Sequence, residues 1–95
     1  MAGYVIVNDE ITDDATFAEF RQKVGATVAA HGGKYLVRGG ATEVVDGDWA
    51  PDRLVIIEFD SVDQAKAWLN SADFLAIKGL RVSSASASVV VAEGV

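Results

Sequence analysis

Two charged side chains stand inside apolar runs, and they are the natural starting point for chemistry. Arg38 closes Tyr35-Leu36-Val37-Arg38, and Glu58 sits within Leu54-Val55-Ile56-Ile57-Glu58-Phe59. A charge in such surroundings is costly unless it is paired. Two readings follow. In one, the residues form a polar pair in a cavity. Arg38 then offers a bidentate fork to a small anionic or carbonyl ligand, and Glu58 acts as base or orienter. In the other, they form a cross-strand or subunit-bridging salt bridge that fixes register. Both readings place Arg38 and Glu58 on neighbouring strands of a hairpin.

Other candidates are weaker. His31 is the only histidine. It has the right ordinary pKa for acid–base work, but it stands at a helix end, where a cation also interacts well with the helix dipole. Arg53 lies just after Trp49 and Pro51, where it can clamp a carboxylate, stack on an indole, or simply reach into solvent. Trp49, Trp68, Tyr35 and Phe74 can line a ligand pocket; aromatics of this kind serve a core or a dimer interface equally well. Ser71 reads as a helix N-cap rather than a nucleophile, with no His–Asp arrangement around it. Gly32-Gly33 and Gly39-Gly40 do not make a phosphate loop. The acids Asp9, Glu10, Asp13 and Asp14 lack calcium-loop spacing.

Composition removes several classes. There is no cysteine, which excludes disulfides, thiolate catalysis and Cys-based metal sites. One histidine does not make a typical multi-histidine site, so no metal is expected, and nothing in the chain calls for a cofactor. Fourteen acids against eight bases give a net charge of −6. Such a surface repels nucleic-acid phosphates and anionic lipid. The apolar runs are too short for a bilayer span, and no secretory pattern opens the chain. A cytoplasmic protein is the expectation, with neither nucleic acid nor membrane as partner.

The elements that must position these residues follow from periodicity. Tyr4 to Val7 reads as a strand bounded by Asn8-Asp9. A helix starts at Thr12 or Asp13 and carries Phe17, Phe20, Val24 and Val28 on one stripe. Gly32-Gly33 ends it. Lys34 to Arg38 is a second strand, with a bulge or bend expected at Gly39-Gly40. Thr42 to Val45 resumes extended structure, and Asp46-Gly47 is a hairpin signal. Arg53 to Phe59, apolar on both faces, belongs in the middle of a sheet. Ser61…Gln64 is a capping box. It opens a helix bearing Val62, Ala65, Trp68 and Leu69, and a short further helix follows Ser71. Ala87 to Ala92 is the last strand. The order β-α-β-β-α-β gives an α+β, ferredoxin-like βαββαβ domain spanning residues 1–95. Its four-stranded antiparallel sheet has the helices on one face. The other face is apolar too, which predicts a homodimer formed through the open sheet face.

The chain also resembles a bacterial family known as domain of unknown function 1330. The resemblance rests on His31-Gly32-Gly33-Lys34-Tyr35-Leu36-Val37-Arg38-Gly39-Gly40, Trp49-x-Pro51-x-Arg53, Ile57-Glu58-Phe59, Ala65-x-x-Trp68, Ser71-x-x-Phe74, Lys78-x-x-Arg81 and Glu93-Gly94. It covers nearly the whole chain. It implies a subunit of the dimeric α/β-barrel type, with two sheets facing each other, and implies no particular activity. Leu69 and Phe74 depart from the aromatic and the tyrosine usual at those places. The functional expectation is a small organic or anionic metabolite held between the sheets by a binding protein or a cofactor-free enzyme. The alternative is a non-catalytic structural or interaction homodimer.

Overall fold

A computed structural model describes all 95 residues. The elements are β1 (Gly3–Ile11), α1 (Asp14–Ala30), β2 (Lys34–Arg38), β3 (Leu54–Phe59), α2 (Val62–Leu69), α3 (Ala72–Ser84) and β4 (Ala85–Glu93). The four strands form one antiparallel sheet in the order β2-β3-β1-β4. The expected ferredoxin-like βαββαβ order is therefore present, with α2 and α3 together occupying the second helical connection.

Local chemistry accounts for the helix starts. Asp13 accepts from the Thr16 backbone N–H at 3.2 Å, Ser61 from Gln64 at 3.0 Å and Ser71 from Phe74 at 3.3 Å. Each satisfies one of the free N–H groups in a first helical turn. The capping box is only half formed: the Gln64 side chain donates instead to the His31 carbonyl at 2.9 Å, tying α2 to the end of α1.

The sheet has two distinct faces. Val5, Val7, Val55, Ile57 and Phe59 point toward the helices and are buried with Phe17, Phe20, Val24, Val28, Ala65, Trp68 and Phe74. Tyr4, Ile6, Leu54, Ile56 and Glu58 alternate with them and lie on the open face, partly exposed. Alternation at period two enforces this separation.

Three boundaries differ from expectation. β1 runs to Ile11, four residues past Val7, because its whole length pairs with β4. No strand forms over Thr42 to Val45; residues 39–53 are irregular, and Asp46-Gly47 lies inside a long loop rather than a tight hairpin. A β-bulge falls between Tyr35 and Val37, while at Gly39 the chain takes the bend alone, with φ +71°. Lys34 faces Glu58 and Tyr35 faces Ile57, whereas Val37 faces Ile56 and Arg38 faces Val55. The extra residue at the bulge is Leu36. Inserting one residue turns every later side chain of the strand to the other face.

Candidate functional site

The bulge decides where Arg38 goes. Strict alternation from Lys34 would leave Arg38 on the open face, the face that carries Glu58, though opposite Leu54. The inserted Leu36 turns it toward the helices instead. Its Nη2 donates to the Arg21 carbonyl on α1 at 3.1 Å, and its guanidinium lies 4.3 Å from the centre of the Tyr35 ring. Gly25 on α1 lies against it; a Cβ there would meet Arg38 Nη2 at 3.5 Å, an ordinary van der Waals contact. Glu58 remains on the opposite face, where it accepts from the Tyr4 hydroxyl at 3.1 Å. Within the chain, therefore, Arg38 and Glu58 do not pair.

A cavity of about 30 Å³ lies between the helix face of the sheet and helices α1, α2 and α3. Its walls are mostly apolar, including Phe17, Tyr35, Trp68 and Phe74. All four arginines of the chain, Arg21, Arg38, Arg53 and Arg81, also line it. The four lysines, Lys23, Lys34, Lys66 and Lys78, are exposed and outside it. One carboxylate, Asp9, faces this group of guanidiniums, and it is only 2% exposed.

Each inner residue is held by the fold. Asp9 continues the row Val5, Val7 along β1, and its backbone N–H donates to the Arg53 carbonyl at 2.9 Å. Arg53 Nη1 reaches Asp9 Oδ2 at 3.4 Å, and its guanidinium lies 5.2 Å from the centre of the Phe17 ring. Gly39 makes room for Arg53. Its φ of +71° is a left-handed conformation, and a Cβ there would come within 2.8 Å of Arg53 Nε. Arg81 comes from the last turn of α3. Trp68 is fixed by donating Nε1–H to Thr27 Oγ1 at 3.0 Å, while Thr27 donates to the Val24 carbonyl at 2.7 Å.

The electrostatics of the cavity are unbalanced. Burial pushes the Asp9 carboxyl above its ordinary range, against the opposing pull of Arg53 and Arg81. Burial also pushes Arg53 and Arg81 below theirs, with Asp9 opposing in each case. Burial likewise raises the Tyr35 phenol, with Arg38 and Arg53 opposing. The only ion pairs in the structure are Lys23–Glu19, His31–Asp73 and Arg53–Asp9. Arg21, Arg38 and Arg81 therefore have no carboxylate within salt-bridge distance. Two buried polar atoms, Asp9 Oδ1 and Arg81 Nε, have no hydrogen-bonding protein group.

Of the residues picked from the sequence, Arg38, Arg53, Tyr35 and Trp68 meet at this cavity, as does Phe74. Three stand elsewhere. Glu58 is on the far face of the sheet. Trp49 is 63% exposed in the loop before β3. His31 caps the end of α1 and pairs with Asp73 at 3.1 Å across to α3. Sequence reasoning missed Asp9, Arg21 and Arg81 as site residues. Asp9 fell beyond the expected end of β1, although the alternation Val5, Val7, Asp9 was available as a signal. Arg81 appeared only as part of a family motif. No group of histidines, cysteines and carboxylates is arranged to hold a metal, and no helix is long and apolar enough to cross a membrane.

Fold and cavity together define a ferredoxin-like α+β subunit with an arginine-lined space between sheet and helices. The chain belongs to the family described as domain of unknown function DUF1330, whose model matches residues 2–95. No curated protein matches it. Among solved structures, it is similar to a protein of unknown function from Rhodopseudomonas palustris, at 13% identity and a TM-score of 0.79, covering 99% of this chain and 82% of that one. It is also similar to a dimeric protein of unknown function and ferredoxin-like fold from Bacteroides fragilis, at 17% identity and a TM-score of 0.64, covering 98% and 96%. A third similar structure is SnoaB, a cofactor-independent oxygenase from Streptomyces nogalater, at 11% identity and a TM-score of 0.61, covering 99% and 91%. At these identities the likeness is one of fold.

Proposed function

We propose that this protein binds a small organic anion in the cavity between its sheet and helices. The observation that carries the reading is the gathering of all four arginines around a space that holds one carboxylate. In a chain of net charge −6, the general field repels anions. Local concentration of guanidiniums is what reverses that. Arginine suits the task because its planar fork matches a carboxylate bidentately. Partly desolvated, unpaired guanidiniums are costly, and an anion among them relieves the cost. The apolar walls accept a carbon body. The volume sets the size: about 30 Å³ is room for one or two waters, against several hundred Å³ for a drug-sized pocket. A short-chain carboxylate fits after modest movement of Arg21 and Arg38, the two exposed arginines.

The proposed site lies on the helix side of the sheet, not between two sheets. The open face has a different part. Ile6, Leu54, Ile56, Val37 and the 56%-exposed Val90 make it apolar, and two structural neighbours are described as dimeric. These support a homodimer formed through that face, leaving the arginine cavity of each subunit intact.

The test of the binding reading is a 1H–15N NMR titration with propionate and lactate. Saturable shifts at Asp9, Arg53 and Arg81, weakened at least tenfold in Arg53→Gln, are expected. If neither acid shifts these residues, the reading fails.

A further inference from the structure

Resting on that reading, the unpartnered atoms of the cavity narrow the ligand. Asp9 is 2% exposed, and its Oδ2 is taken by Arg53 while Oδ1 has no protein donor. Arg81 Nε is equally buried and has no protein acceptor. Both residues line the same space. Buried polar groups are rarely left without partners, and two in one small cavity, one an acceptor and one a donor, call for a group that both donates and accepts.

A plain carboxylate does not meet this demand. It satisfies Arg81 but brings a second negative charge toward Asp9 with nothing to donate. An ammonium group donates to Asp9, yet it accepts nothing from Arg81 and meets the excess positive charge of the arginines. A neutral hydroxyl donates to Asp9 Oδ1 and accepts from Arg81 Nε. We infer that the ligand is a short hydroxy acid: its carboxylate is held by the arginines, and its hydroxyl bridges Asp9 and Arg81. Asp9 is then the residue that sets specificity between a hydroxy acid and its deoxy analogue. Sites built to hydrogen-bond a hydroxyl reject analogues lacking it, because their own buried groups are left unpaired.

Binding by NMR or calorimetry is compared for lactate, propionate, isobutyrate and alanine. Propionate removes the hydroxyl, isobutyrate replaces it with a methyl group, and alanine replaces it with an ammonium. In the wild-type protein, lactate is expected to bind at least tenfold more tightly than the other three. The preference should fall below threefold in Asp9→Asn, which loses the charged acceptor, and vanish in Asp9→Leu. Arg38→Gln, which leaves Asp9 untouched, should weaken all four alike. Equal binding of lactate and propionate by wild type overturns the inference while leaving the anion site standing; a bridging water then serves Asp9 and Arg81. A lactate preference unchanged in Asp9→Asn and Asp9→Leu overturns it too. If Asp9→Leu does not fold, the wild-type comparison and Asp9→Asn decide. Absence of binding by all four instead removes the anion site itself.

Discussion

Arg38 and Glu58 sit on paired neighbouring strands and on opposite faces of the sheet. Arg38 packs over Tyr35 and reaches the Arg21 carbonyl on α1, while Glu58 accepts from Tyr4 on the open face. The cause is the single extra residue, Leu36, at the bulge between Tyr35 and Val37.

That relationship predicts energetic independence. In a double-mutant cycle of Arg38→Ala and Glu58→Ala, measured by urea unfolding at fixed protein concentration, the effects should add to within about 0.5 kcal/mol. The cycle Tyr4→Phe with Glu58→Gln should show coupling of about 0.5–1.5 kcal/mol, the worth of a typical hydrogen bond. Strong coupling in the first cycle would mean that Arg38 and Glu58 do interact.

Asp9 should behave unlike an ordinary acid in its effect on stability. Burial raises its pKa in the folded state, so the folded protein binds that proton more tightly than the unfolded chain. Stability due to Asp9 is then greatest below the ordinary aspartate range and is lost as pH rises through the raised folded value. Arg53 and Arg81 face Asp9 and limit the loss, and Arg21 and Arg38 complete the charged lining. Without ligand at pH 7, Asp9→Asn should therefore melt at the same temperature as wild type or higher. The difference should move in favour of wild type as pH falls toward 4. A wild type that is more stable at pH 7 and loses this advantage in acid would contradict the sign.

Gly39→Ala tests how Arg53 is placed. The left-handed backbone costs a residue with a Cβ about 1–2 kcal/mol, and that atom would crowd Arg53 Nε. Denaturant unfolding should show a loss of that order, and propionate binding should weaken with it. Gly40→Ala, with nothing within 4 Å of an added Cβ, is the control and should change neither.

Trp68 depends on one buried hydrogen bond as well as on stacking. Its ring centre lies 5.5 Å from that of Phe59 and 4.5 Å from that of Phe74. Thr27→Val keeps the shape but leaves the indole N–H buried without a partner, which should cost about 1–3 kcal/mol. A shifted Trp68 emission is the accompanying signal, best read in a Trp49→Phe background, since Trp49 is exposed.

The open face yields a prediction about assembly. Ile56→Lys places a charge at the middle of that face, opposite Ile6 on β1 and Val37 on β2. Light scattering should report a folded monomer where wild type gives a dimer. A dimer that survives Ile56→Lys would place the interface elsewhere.

The sequence by itself determined what depends on near neighbours in the chain. Helix caps at Asp13, Ser61 and Ser71, the stripe Phe17-Phe20-Val24-Val28 and the order of strands are all short-range or periodic features. Strand limits were less legible, because β1 beyond Val7 exists through long-range pairing, most of it with β4. Tertiary structure alone decided the site. Arg21, Arg38, Arg53, Arg81 and Asp9 come from α1, the end of β2, the start of β3, α3 and β1, and no spacing along the chain announces that they converge. The face taken by Arg38 was decided the same way. Alternation is a local rule, but the position of a bulge is set by the strand across from it. One residue, Leu36, put Arg38 and Glu58 on opposite faces and turned an arginine from the open sheet into the cavity.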